Sequence, residues 1–308
     1  MKSLRVVFMG TPEFAVASLE ALHQSKHQVV GVVTVADKPA GRGLNMQMSA
    51  VKQFAIEHAI PVLQPLKLRD PEFIEALKAW NADLFVIVAF RMLPEVVWQM
   101  PSLGSINLHG SLLPRYRGAA PINRAIMNGD VETGVTTFFL QHEIDTGNVI
   151  ASERMPIGPD TTAGELHDTM MHTGARALVQ AIDLIADGNA EAVEQNKLMP
   201  TGEDVPSAPK IFKDDCRIDW SLNTEQVHNH VRGLSPYPAA WTELEGKSFK
   251  IYSGRPILGK MLLTPFETDG KTYLNFRCAD GAYSVQTIQP EGKKRMEIEE
   301  FLRGWRPA

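Results

Sequence analysis

Cysteine is nearly missing from this chain. Only Cys216 and Cys278 occur in 308 residues, and they form no Cys-x-x-Cys pair. A disulfide framework, a zinc knuckle and an iron–sulfur site therefore have no ligand set to rest on. Long apolar runs are missing too. The start, Met1 to Gly10, holds only a short hydrophobic stretch, and no run approaches the roughly 20 residues that a membrane-spanning helix needs. The expectation is a soluble protein of the cytoplasm. Gly10-Thr11-Pro12-Glu13-Phe14 turns from an apolar run into a helical pattern, but it lacks the later glycines that bring a pyrophosphate close to the backbone. No Walker phosphate loop and no Gly-x-Ser-x-Gly elbow occurs either. His23 and His27 lack the adjacent Glu of a zinc-protease motif and read as exposed helix residues. His167 with His172, and His228 with His230, have unsuitable spacing for two ligands on one helix face. No metal is expected.

What is present is ordinary globular material, 44% hydrophobic and 22% charged, in a length that suggests two domains. The net charge of −5 is unevenly spread. Residues 1–207 carry 16 Lys+Arg against 23 Asp+Glu, and residues 208–308 carry 15 against 13. Such an asymmetry can mark a docking domain for a polyanion, and it equally fits a solvated surface.

Strand and helix patterns alternate through the first 190 residues. Apolar β-rich runs at Leu4–Met9, Val29–Val35, Leu84–Ala89, Ser105–His109, Val135–Leu140 and Val149–Met155 predict strands. Helical patterns fall near Ala50–His58, Pro71–Trp80, Pro121–Met127 and Ala163–Ala186. This alternation predicts an α/β domain with an open, mostly parallel sheet covered by helices on both faces. Near residue 188 the texture changes, and Met199 to Pro209 is rich in Pro, Gly and Ser. Beyond it, a helix around Thr224–Arg232 precedes short runs at Trp241–Leu244, Phe249–Tyr252, Tyr273–Arg277 and Tyr283–Ile288, with a last helix at Met296–Leu302. Turns such as Glu245-Gly246 and Asp269-Gly270 between such runs predict a small antiparallel barrel or sandwich. The domains expected are 1–188, a linker 189–209, and 210–308.

The informative segment is Ser105-Ile106-Asn107-Leu108-His109-Gly110-Ser111-Leu112-Leu113-Pro114. Residues two apart share a strand face, so Asn107 and His109 point together. Strand ends of an open parallel sheet form its ligand crevice. An amide and an imidazole presented there read either as a satisfied polar pair or as a pair of hydrogen-bond donors. A second cluster, Gln141-His142-Glu143-Ile144-Asp145-Thr146-Gly147, puts Asp145 in a turn where its carboxylate can orient a histidine, although Asp-x-Gly is also common turn chemistry.

The run Asn107-Leu108-His109-Gly110-Ser111-Leu112-Leu113-Pro114-Arg115-Tyr116-Arg117-Gly118-Ala119-Ala120-Pro121-Ile122 resembles the central signature of the methionyl-tRNA formyltransferase family. The opening Phe8-Met9-Gly10-Thr11-Pro12-Glu13-Phe14-Ala15 is similar to that family, as are Lys38-Pro39-Ala40-Gly41-Arg42-Gly43, Arg217-Ile218-Asp219-Trp220 and Leu234-Ser235-Pro236-Tyr237-Pro238-Ala239-Ala240-Trp241. The resemblance spans nearly the whole chain. It implies a Rossmann-like domain followed by an OB-like barrel, and transfer of a formyl group from 10-formyltetrahydrofolate to the amino group of methionine on initiator tRNA. It further implies Asn107 and His109 as donors to a transient oxyanion, with Asp145 orienting His109 and helping to take the amine proton. Folate placement carries over to Ser111, Leu112, Leu113 and Pro114, with Phe90-Arg91-Met92-Leu93 lining the pterin pocket. Contacts to tRNA fall to Arg42, Lys38 and Lys210. Many relatives carry lysines directly after Gly-Arg-Gly, where this chain has Leu44-Asn45-Met46-Gln47. A monomer is expected. The alternatives are a formyltransferase acting on a sugar amine and a tRNA- or folate-binding module without catalysis.

Overall fold

A computed structural model describes residues 2–40, 45–199 and 204–305. The chain forms two compact units, each assembled from more than one segment. The first takes residues Met1–Arg117, Gly134–Met155 and Asp168–Ser207, and the second takes Gly118–Thr133, Pro156–His167 and Ala208–Ala308.

The first unit is built on a seven-stranded sheet. Its order is Val149–Pro156, Glu132–Phe139, Ser105–His109, Leu84–Val88, Arg5–Gly10, Gln28–Val33 and Val62–Leu63. The last five are parallel to one another, whereas Glu132–Phe139 runs antiparallel to Ser105–His109. Central strands buried on both faces read as unbroken apolar runs. Leu84-Phe85-Val86-Ile87-Val88 is such a run, with every residue buried. Val7, Met9, Phe85 and Ile87 turn one face of the sheet toward Phe73 and Leu77 of the helix Pro71–Ala79. That helix starts where its sequence says it should, because Asp70 accepts from the Glu72 amide and Pro71 occupies the first turn.

His27 departs from its sequence reading. It lies past the end of the helix Glu13–His23 and is 5% exposed. Its Nδ1 accepts from the Leu4 amide, and its Nε2 sits 3.0 Å from Asp183. The four-residue spacing from His23 reads it as an exposed helix residue, but the helix ends at His23 and the Leu4 amide holds the buried imidazole instead.

The second unit is a curled antiparallel half-barrel of Ala240–Leu244, Lys247–Leu258, Gly281–Pro290, Leu274–Arg277 and Phe266–Thr268, with Met296–Glu297 paired to Gly281–Pro290. The helix Ile298–Arg303 therefore begins two residues later than expected, since Met296 is drawn into the ladder opposite Ile288. Val227, Val231 and Leu234 of the helix Thr224–Leu234 pack with Ile251, Tyr283 and Val285 in the core.

This helix also carries two histidines whose protonation the fold resists. Burial pushes the pKa of His228 below the ordinary 6.5, with Asp160 opposing and Arg232 assisting. Burial does the same to His230, which faces the Cys216 backbone, Arg124 and Asp215. Between the folded and ordinary values the unfolded chain binds more protons, so stability is complete above pH 6.5 and falls as the pH drops below it. The fall is up to about 1.4 kcal/mol per pH unit for each histidine. Thermal unfolding recorded from pH 8 to pH 5 should show this loss, and His228→Gln with His230→Gln should flatten it. An unchanged slope in the double variant would assign the loss elsewhere.

Candidate active site

The strand Ser105–His109 occupies the place where the sheet changes direction. Ile87 of the parallel neighbour and Phe138 of the antiparallel one flank Asn107, and His109 lies opposite Thr136. Asn107 is half-buried, and its carboxamide has no hydrogen-bond partner among the described residues. The imidazole of His109, in a residue only 6% exposed, is held differently. Its Nε2 lies 2.8 Å from the Tyr116 carbonyl oxygen. A carbonyl only accepts, so Nε2 carries the proton and donates it there. Nδ1 then faces Asp145, with Oδ2 at 3.7 Å. That separation is longer than a hydrogen bond and becomes an ion pair only when the ring is protonated. The family resemblance implies both Asn107 and His109 as donors to the oxyanion. In the structure the standing proton of His109 is committed to the backbone, and only Nδ1 remains toward the carboxylate.

The backbone around these groups is strained. Ala89 at the end of Leu84–Val88, Tyr116 and Asp145 adopt φ of +48°, +60° and +56°. Such conformations cost on the order of 1–3 kcal/mol each and persist only when the surroundings over-determine them. For Asp145 the surroundings are visible. A Cβ on Gly147 would collide with the Phe139 carbonyl oxygen, so the turn packs directly on the strand end. Gln195, 2% exposed, reaches the same turn, its Nε2 donating to the Asp145 and Gly147 carbonyls at 2.8 Å each. Its Oε1 accepts from Arg117 Nε and Nη2 at 2.9 and 2.7 Å. Gln195 lies in the segment expected to be linker. Val193 pairs with Val149 just before it, so this part of the chain is ordered against the sheet.

The residues assigned to folate divide into two sets. Ser111, Leu113 and Pro114 are buried, Ser111 completely. Ser111 Oγ donates to the Arg115 carbonyl, Thr136 Oγ1 donates to the Ser111 carbonyl, and the Leu113 amide donates to Thr136 Oγ1. These side-chain and backbone groups are engaged in fixing the shape of the loop. Leu112 and Phe90 are half-buried, while Arg91 and Met92 are exposed. Arg91 donates to the Pro65 and Leu66 carbonyls, which ties its loop to the segment before Pro71–Ala79. An apolar surface with few polar groups at strand ends suits a flat heteroaromatic ring.

Among the residues assigned to tRNA, Arg42 lies outside the described residues. Lys38 is exposed on the ribbon Lys38–Ala40 and Asn45–Gln47. At its base the Asp37 carboxyl is held below its usual range by Lys52 at 2.5 Å and by Gln64. Lys210, in the second unit, is exposed, with Nζ 5.5 Å from the centre of the Phe212 ring. No group of three or more His, Cys, Asp or Glu placed to hold a metal occurs among the described residues.

The chain is similar to known proteins over nearly its whole length. Residues 4–182 match the formyl transferase family model, and residues 210–306 match that of the formyl transferase C-terminal domain. The chain is 51% identical to a methionyl-tRNA formyltransferase of Bacteroides fragilis over 311 residues, covering 99% of this chain and 96% of the relative. It is 45% identical to that of Porphyromonas gingivalis over 321 residues, covering 99% and 96%. Among solved structures, an N-formyltransferase from Helicobacter canadensis in complex with folinic acid and dTDP-3-aminofucose superposes with a TM-score of 0.69 at 20% identity, over 93% of this chain and 99% of that one. HypX from Aquifex aeolicus in complex with tetrahydrofolic acid superposes with a TM-score of 0.66 at 18% identity, over 99% of this chain and 48% of that one.

Proposed function

The chain belongs to the methionyl-tRNA formyltransferase family, and from that premise we propose how its residues move a formyl group from 10-formyltetrahydrofolate to the amine of methionine on initiator tRNA. The observation that carries the proposal is the free Asn107 carboxamide beside a histidine whose open nitrogen faces a carboxylate. When an amine adds to the formyl carbon, the carbonyl oxygen gains negative charge. Asn107 donates to that oxygen, an interaction worth about 3 kcal/mol. With Nε2–H given to Tyr116, Nδ1 of His109 offers a lone pair. It takes the proton released by the attacking amine, while Asp145 balances the charge on the ring. Protonated, Nδ1 becomes a second donor to the oxygen, and its proton leaves with the folate nitrogen as the centre collapses. No side-chain nucleophile is required.

Phe90, Arg91, Met92 and Leu112 are the proposed ring contacts, shaped from behind by Ser111, Leu113 and Pro114. Residues 1–188 carry the chemistry in this reading and 210–308 dock tRNA, with 189–209 between them. The protein acts as a monomer in the cytoplasm. Incubation with 10-formyltetrahydrofolate and methionyl-tRNA should yield the formylated product, while formylation of a free sugar amine alone would replace this reading with the sugar-modifying one. Arg42→Ala and Lys210→Ala should each raise KM for tRNA and lower its salt slope by about one, with KM for folate unchanged. A matching rise in folate KM would place these residues elsewhere.

A further inference from the structure

We propose that Gln195 is a positioning residue for formyl transfer, because its one side-chain amide joins the two backbone corners that hold His109 in register with Asp145. The role rests on the assignment of Asn107, His109 and Asp145 to the chemistry. The first corner is Tyr116, with φ +60°, whose carbonyl takes the His109 Nε2 proton. The next residue, Arg117, sends two N–H groups to Gln195 Oε1. The second corner is Asp145, with φ +56°, whose carbonyl accepts from Gln195 Nε2, as does that of Gly147. A guanidinium can only donate and a carbonyl can only accept, so the orientation of the amide is fixed by its neighbours. Both of its N–H groups and both of its carbonyl lone pairs are used.

The physical consequence is a rigid coupling. A left-handed aspartate relaxes unless something restrains it, and the two Nε2 bonds restrain this turn on both sides of Thr146. Arg117 polarises the amide from its oxygen side, which strengthens its N–H donors. The Gln195 amide thereby helps to set the distance between Nδ1 and the Asp145 carboxylate, beside the packing of Gly147 on Phe139. Gln195 is buried and its side-chain hydrogen bonds go to Arg117 and to the Asp145 and Gly147 carbonyls, so any effect on turnover passes through these corners.

Gln195→Glu separates this role from a merely structural one. The carboxylate keeps the length and still accepts the Arg117 fork, but both donors to the turn are lost. The expected result is kcat lower by about 10- to 100-fold. KM for tRNA and folate should stay within about twofold, Tm should fall because the Asp145 and Gly147 carbonyls lose their donor, and the pH–rate profile should be displaced because the His109–Asp145 spacing has relaxed. In an Asp145→Asn background the same change should cost almost nothing further, since the group being positioned is already disabled. Unchanged kcat in folded Gln195→Glu, or a full additional loss in the Asp145→Asn background, overturns the proposal. If Gln195→Glu does not fold, Arg117→Lys carries the same test, leaving Gln195 in place with one donor instead of two. Its kcat should fall while both KM values hold, and an unchanged kcat overturns the proposal. Full turnover in Asp145→Asn alone would instead overturn the parent assignment of the reacting residues.

Discussion

Asn107→Ala is expected to lower kcat by about 10²- to 10³-fold, the cost of removing one oxyanion donor, while Tm stays at the parent value. The second half of this expectation is unusual for a polar residue in a central strand. Deleting a buried amide normally leaves its former partners unsatisfied, at about 1–3 kcal/mol each. Here the carboxamide has no partner among the described residues, so nothing is orphaned. The backbone ladder to Ile87 and Phe138 does not depend on the side chain. Asn107→Asp makes the point more sharply, since it keeps the volume, removes the donor and adds charge where charge must develop. Single-turnover formylation, with thermal unfolding and folate titration on the same preparations, checks both parts. A kcat within threefold of the parent, or an equal loss of folate affinity, would remove Asn107 from the chemistry.

The sequence exposed the elements whose signals are local. Ser105–His109, Pro121–Met127 and Ala163–Ala186 occupy the spans read from apolar periodicity and flanking breakers. Where tertiary pairing overrides pattern, the reading fell short. Lys247–Leu258 runs well past Phe249–Tyr252 because Gly281–Pro290 supplies a ladder partner across the polar stretch Ser253 to Arg255. The same holds within the site. Strand spacing and turn chemistry leave Asn107, His109 and Asp145 open between structural and chemical readings, the family resemblance marks them, and the structure sets His109 against Asp145. Tyr116 acts through its carbonyl, which no side-chain pattern reports. Gln195 has no periodic signal, and its partners lie 48, 50 and 78 positions away. A buried glutamine becomes legible only when the chain has closed around it.

Asp145→Asn should be the most informative change in the proton-handling pair, with kcat expected to fall by about 10²- to 10⁴-fold. Asparagine tolerates the left-handed conformation about as well as aspartate, so the +56° backbone and its bonds from Gln195 survive. What disappears is the negative charge 3.7 Å from His109 Nδ1. With Nε2–H fixed on Tyr116, a proton arriving at Nδ1 makes a cation inside a nearly closed site, and only the carboxylate among the assigned residues offsets it. The loss should therefore fall on kcat and leave both KM values near the parent. Asp145→Ala should cost as much in turnover and more in Tm, because alanine gains nothing local to offset the strained turn. If Asp145→Asn kept full turnover, the carboxylate would be only a turn former, and His109 would have to release its proton without an anionic partner. The two variants differ in backbone tolerance yet share the missing charge. Comparing their kcat and Tm assigns the effect to electrostatics or to shape.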